Sequence, residues 1–100
     1  MAKTRVVHVN SEEWKNTPEA DRVYIGRAMP RRGFKASFWQ NMNRITDQVD
    51  RSEAIARYRH DVTQSEWHMS RLEELRGKVL GCWCKPEACH GDVLVELLGE

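Results

Sequence analysis

The stretch Lys78-Val79-Leu80-Gly81-Cys82-Trp83-Cys84 decides the fold. It is the most strand-like run of the chain. Gly81 inside it predicts the close approach of another backbone. Beyond it, Pro86 suits the opening of a helix whose buried face is Val93, Leu94, Leu97 and Leu98.

Working back toward the N-terminus, Gly77 stops a helix that Ser65 caps, with Met69, Leu72 and Leu75 as its core stripe. Asp50, followed three residues later by Glu53, caps another helix from about Arg51 to Val62, in which Ile55, Tyr58 and Val62 share a face. Val23-Tyr24-Ile25 is a strand ended by Gly26, and Arg5-Val6-Val7-His8-Val9 is the first strand of the chain. Between these two, Ser11-Glu12-Glu13-Trp14 suits one helical turn before Pro18 breaks it, and Trp14 pins the loop to the body. Strands interleaved with helices predict an α/β fold: a small three-stranded sheet, its last two strands parallel across a crossover, with about three helices. The polar link between the first two strands leaves an antiparallel pairing of those two open.

The 100 residues are read as a single α/β domain, 1–100, long enough to bury a modest core without staples. Four Trp and 40% hydrophobic residues argue against disorder. No apolar run approaches the roughly 20 residues that cross a bilayer, and the opening Met-Ala-Lys-Thr-Arg lacks a secretory apolar stretch. The expectation is a cytoplasmic protein with no membrane partner. Three Cys, an odd number crowded between residues 82 and 89, make a poor disulfide framework and a better set of free thiols or metal ligands.

A formal charge of +1 argues against a protein that coats polyanions along its whole surface. It conceals two unlike parts. From Arg22 to Thr46 stand Arg22, Arg27, Arg31, Arg32, Lys35 and Arg44 without one acid, so this window is +6 and the remainder −5. The stretch from Arg27 to Gln48 has no clean period and carries Pro30 and Gly33, so it is a long loop. Phe34, Phe38 and Trp39 favour an ordered one, since a solvated linker has little use for three large rings.

In a parallel sheet the carboxyl ends of neighbouring strands share an edge, where ligands bind. Gly26-Arg27 leaves the second strand at that edge, and Cys84 to Asp92 leaves the third, so the basic loop and the Cys-His turn are expected to face one cleft. Arg27, Arg31, Arg32, Lys35 and Arg44 offer phosphate contacts, and Phe38 and Trp39 offer ring faces to a base. That combination points to a nucleotide or single-stranded nucleic acid; the competing view is a solvated positive surface over buried rings.

Cys82, Cys84, Cys89 and His90 also supply the three sulfurs and the imidazole of a closed zinc site, although adjacent Cys89-His90 would have to diverge and reconverge on one ion. A second chemistry makes Cys89 a thiolate at the start of the last helix, with His90 moving protons and Cys84 as a resolving thiol. The plain alternative is packing thiols and a histidine that holds the turn. Gly91 permits close ligand approach and Asp92 suits a first helical turn in either case. His8, His60 and His68 stand alone and are read as surface or structural residues.

Val23-Tyr24-Ile25-Gly26-Arg27, Ala36-Ser37-Phe38-Trp39-Gln40-Asn41, Arg51-Ser52-Glu53-Ala54-Ile55 with Tyr58, Leu72-Glu73-Glu74-Leu75-Arg76-Gly77-Lys78, Gly81-Cys82-Trp83-Cys84-Lys85-Pro86 and Cys89-His90-Gly91-Asp92-Val93-Leu94 resemble the domain-of-unknown-function family numbered 4326. The resemblance spans about residues 5 to 98, and its closing motif is specific. The family occurs in bacteria and phages and has no established activity, so what it implies is a set of positions: Gly26, Arg27, Trp39, Asn41, Arg51, Cys84, Cys89, His90 and Asp92. The family usually shows Gly-Asn-Pro-Phe after the tryptophan, where this chain has Gln40-Asn41-Met42-Asn43. A second small uncharacterised family has Cys-x-Glu on the corresponding strand followed by Cys-His-Arg, which by analogy makes Cys89-His90 the shared chemical core.

The leading expectation is a phosphorylated ligand, a nucleotide or nucleic acid end, bound by Gly26, Arg27, Arg31, Arg32, Trp39, Asn41, Arg51 and Asp92 beside the Cys-His turn. The alternatives are a zinc module on Cys82, Cys84, Cys89 and His90 that works through contacts with a host protein, phage-encoded by the resemblance, and an enzyme with Cys89 and His90 as catalytic residues. Zinc is the one cofactor suggested.

Overall fold

The computed structural model describes residues 3–100; Met1 and Ala2, and with them the start of the 1–100 span, lie outside the described residues. Three strands, β1 (Arg5–His8), β2 (Arg22–Tyr24) and β3 (Val79–Cys82), form one sheet in the order β1-β3-β2. Both pairings are parallel, with Val6 and Val23 flanking Leu80, and Val7 and Tyr24 flanking Gly81. The parallel pairing of the last two strands is as expected. The first two strands do not pair, because β3, buried at every position, takes the centre between them.

Period-two alternation along β3 divides the core. Leu80 and Cys82 join Ile25, Tyr58, Val62, Leu72, Leu75, Val93 and Leu94 in the larger cluster. Val79 belongs to a smaller cluster on the other face, with Val9 and Trp14 and with Tyr24, Phe34 and Trp83 packed against it. Gly81 points to this second face. What approaches it is a side chain rather than a backbone: a Cβ at Gly81 would stand 2.5 Å from the Trp14 ring. Trp14 sits on α1 (Glu12–Asn16), whose N-cap Ser11 accepts the Trp14 N–H. The pinning role of Trp14 is therefore a requirement for glycine on the central strand.

Helix α2 (Arg51–Thr63) starts where its cap dictates, with the Asp50 side chain accepting the Glu53 N–H at 2.9 Å. The Glu53 carboxylate pairs forward with Arg57 instead of back to the cap. Ser65 caps α3 (Glu66–Arg71), which tightens into a 3-10 turn over Leu72–Leu75. Leu72 and Leu75 are buried as expected, but Met69 is 42% exposed. Met69 lies on α3, which buries none of its residues, while Leu72 and Leu75 belong to the 3-10 turn that does.

Helix α4 (Gly91–Leu97) begins five residues later than Pro86. Residues 85–90 instead form a turn in which the Glu87 N–H reaches the Cys84 carbonyl at 2.8 Å and the Lys85–Pro86 peptide is cis. Cys89 and His90 are both buried at the end of this turn. Among the described residues no helix is long and apolar enough to cross a membrane.

The basic segment is ordered but without long elements, as the sequence suggests. Pro30–Arg32 make a 3-10 turn closed by Gly33 in the left-handed region at φ 79°, and Met29 bridges Phe34. This doubles the chain back and stacks Phe34 on Tyr24, ring centroids 4.5 Å apart. Further on, the Ser37 hydroxyl donates to the Tyr24 carbonyl at 2.8 Å. His68 closes the segment from α3, its Nε2 2.7 Å from the Phe38 carbonyl and its Nδ1 2.7 Å from Ser65.

Candidate functional site

A cleft of about 670 Å³ opens at the carboxyl ends of β2 and β3. Gly26 and Arg27 enter it from β2, and Cys82, Trp83 and Cys84 from β3. Asn41, Asn43 and Arg44 come from the basic segment, Arg51 and Ile55 from α2, and Glu87 and His90 from the turn before α4. The basic segment and the Cys-His turn therefore share a cleft, at the edge where parallel sheets bind ligands.

Of the residues singled out in the sequence, this cleft gathers Gly26, Arg27, Asn41, Arg51, Cys82, Cys84 and His90. Arg31, Arg32, Trp39, Cys89 and Asp92 are not among its lining residues. Trp39 is 6% exposed and belongs to the core, and its carbonyl accepts the Tyr58 hydroxyl at 2.7 Å. Its neighbour Phe38 is 74% exposed and lies against Trp67, away from the cleft lining. Arg32 stacks its guanidinium over Trp83 at 5.3 Å, and Arg22 covers Trp14 at 4.7 Å. Only Arg27 and Arg44 of the six basic residues in the acid-free window line the cleft. Arg51, from outside that window, makes a third.

Trp83 is the cleft residue that sequence reasoning passed over. Its indole Nε1–H donates to the Tyr24 hydroxyl at 2.7 Å, and Phe34 and His8 meet its ring edge-on. In the Cys-Trp-Cys alternation the ring falls on the opposite face from the two thiols, with Tyr24 and Phe34.

The Cys-His turn is built by Asp92 and Arg51. Asp92 accepts the Cys89 N–H at 3.0 Å and the Lys85 ammonium at 2.8 Å, so one carboxylate holds both ends of the turn. Arg51 donates to the Ala88 carbonyl at 3.1 Å. The sulfurs of Cys82, Cys84 and Cys89 lie within 4.8 Å of one another, close enough to hold a metal ion. His90 stands beside this group rather than in it. Its Nε2 is 2.8 Å from the Ile25 carbonyl, which fixes the tautomer, and its Nδ1 is 3.7 Å from the Cys89 sulfur.

Charge is unevenly shared among the thiols. Cys84 is held far below the ordinary thiol range by hydrogen bonds from Cys82 and Cys89, with the Arg51 guanidinium adding to them. Cys89 is pushed up by the same hydrogen bonds to Cys82 and Cys84 and by burial. The direction of these shifts favours charge on Cys84, on the cleft wall, over Cys89 at the helix start. Burial lowers His90 against the Ile25 carbonyl, which favours protonation, so the imidazole is neutral.

One curated relative is an uncharacterised 12.4 kDa protein from the nrdA-td intergenic region of Enterobacteria phage T4, 35% identical over 77 residues, covering 65% of this chain and 71% of the phage protein. No solved structure matches. A family model covers residues 7–100, from β1 through the basic segment and the three thiols to the end of α4. The chain therefore belongs to the family described as Domain of unknown function (DUF4326).

Proposed function

We propose that the protein binds a phosphorylated ligand of nucleotide size in the cleft between the basic segment and the Cys-His turn. The observation that carries this reading is the convergence of Arg27, Arg44 and Arg51, from three separate segments, on one cleft at the carboxyl edge of a parallel sheet. Neither Arg27 nor Arg44 pairs with a carboxylate among the described residues, whereas Arg5, Arg57, Arg59 and Arg76 all do. Glu87 is the one carboxylate on the cleft wall, so positive charge prevails there.

The size of the cleft, about 670 Å³, lies within the usual range for small-molecule sites, roughly 300–1,000 Å³. Asn41 and Asn43 line the same wall, Asn41 held by the Ala54 carbonyl and Asn43 by the Asp61 carboxylate, whereas Trp39 is buried in the core and the Trp83 ring is packed against Arg32, His8 and Phe34. Gly26 also lines the cleft, and its lack of a side chain makes room for the Tyr24 ring, whose hydroxyl would stand 2.6 Å from a Cβ there. Arg31 and Arg32 have no place in it, and Asp92 contributes by holding the turn.

The test is a titration with inorganic phosphate, a nucleoside, its monophosphate and a short single strand, at two salt concentrations. The phosphorylated probes are expected to bind at low salt and to weaken as salt rises. The unphosphorylated nucleoside should bind at least tenfold more weakly than its monophosphate. Absence of binding by every phosphorylated probe at low salt overturns the reading.

A further inference from the structure

Cys82 and Cys89 are buried, Cys84 is half-buried, and all three are free thiols. Their mutual approach to within 4.8 Å is unusual for packing thiols, since nothing in an apolar core requires three sulfurs to converge. They come from two segments: the end of β3 supplies two, and the turn before α4 folds back to supply the third. Three sulfurs so placed suit a soft divalent ion.

We infer that Cys82, Cys84 and Cys89 bind one divalent ion of the zinc type through three thiolates and leave its fourth position open to the cleft. This goes beyond the phosphorylated-ligand reading and does not depend on it. The Gly91 N–H donates to the Cys89 sulfur at 3.4 Å, and Arg51 lines the same cleft as Cys82 and Cys84. Binding releases the remaining thiol protons to solvent. A divalent ion with three thiolates then carries one net negative charge, which Arg51 offsets.

The open position follows from His90 and the cleft. Among the described residues no fourth side chain joins the three sulfurs, and His90 is held aside by its bond to Ile25. Cys82 and Cys84 both line the cleft, so the side of the ion without a protein ligand faces it. Three protein ligands and one exchangeable position are the arrangement of zinc sites that act on a ligand, in contrast to closed structural ones.

The experiment is a cobalt(II) titration of the reduced full chain, followed by zinc. The expected result is one equivalent of cobalt, a near-ultraviolet thiolate-to-cobalt charge-transfer band with the visible bands of a tetrahedral centre, and displacement by zinc. Added imidazole should shift the visible bands by entering the open position. Less than about half an equivalent, or visible bands without charge transfer, overturns the site. Bands that imidazole leaves unmoved overturn its openness. The variant Cys84→Ser should bind cobalt at least tenfold more weakly with an unchanged far-ultraviolet dichroism spectrum. Because that variant also touches the core, alkylation of the unaltered protein stands beside it: stoichiometric zinc should protect Cys84 from iodoacetamide and a chelator should restore labelling. Equal labelling of Cys84 with and without zinc overturns the inference.

Discussion

His90 Nε2 lies 2.8 Å from the carbonyl oxygen of Ile25 and joins the turn before α4 to the end of β2 across 65 residues of sequence. The bond is buried, and burial keeps the imidazole below its ordinary value of 6.5. The unfolded chain therefore takes up a proton below about pH 6.5 that the folded chain resists, so stability falls as pH drops through that value. Urea midpoints should decline between about pH 7 and about pH 5, and His90→Gln should flatten the decline. A midpoint that is level across this window contradicts a buried neutral His90.

Gly81→Ala should be costly although alanine is small. Its Cβ would stand 2.5 Å from the Trp14 ring, and relief requires that ring to move out of a packed cluster. The expected loss is about 1–3 kcal/mol by urea denaturation, the usual range for overpacking. Adding Trp14→Leu should make the pair less destabilised than the sum of the two changes. Strict additivity would show that the two residues do not meet.

Tyr58→Phe removes a buried hydroxyl whose one hydrogen bond among the described residues is the 2.7 Å bond to the Trp39 carbonyl. The orphaned carbonyl should lower stability by about 1–3 kcal/mol. Since this bond fastens the basic segment to α2, amide exchange should also quicken around Gln40 and Asn41. Unchanged exchange there contradicts the anchoring role.

Arg27→Gln and Arg44→Gln should each weaken binding of a nucleoside monophosphate about tenfold, as expected for loss of one charge-assisted contact. Arg31→Gln, outside the cleft, should leave affinity within about twofold. Titration calorimetry at low salt separates these outcomes, and an equal loss from Arg31 would show that only diffuse positive charge attracts the ligand.

Much of this was legible because it is local. The Asp50 cap fixed the start of α2, and the strand-like run at residues 78–84 marked β3, though not its central place or that β1 would pair on its other side. Strand order depends on contacts across most of the chain, which periodicity does not encode. The same limit applies to the basic segment. Its charge total says nothing about direction, so Arg32 was as eligible as Arg27 until Trp83 was seen to occupy its guanidinium group. Phe38 and Trp39 could not be ranked without a period, and the loop turned the tryptophan inward. His68, isolated in sequence, owes its structural role to the Phe38 carbonyl 30 residues away.

The most direct measurement is amide chemical-shift mapping during titration of the reduced protein with a nucleoside monophosphate at low salt. The shifts are expected to cluster at Gly26, Arg27, Asn41, Arg44, Arg51 and Cys84, around this cleft, while residues 66–75 on α3 and its 3-10 extension stay still. Shifts centred on Arg31 and Arg32, or none at all, would contradict it.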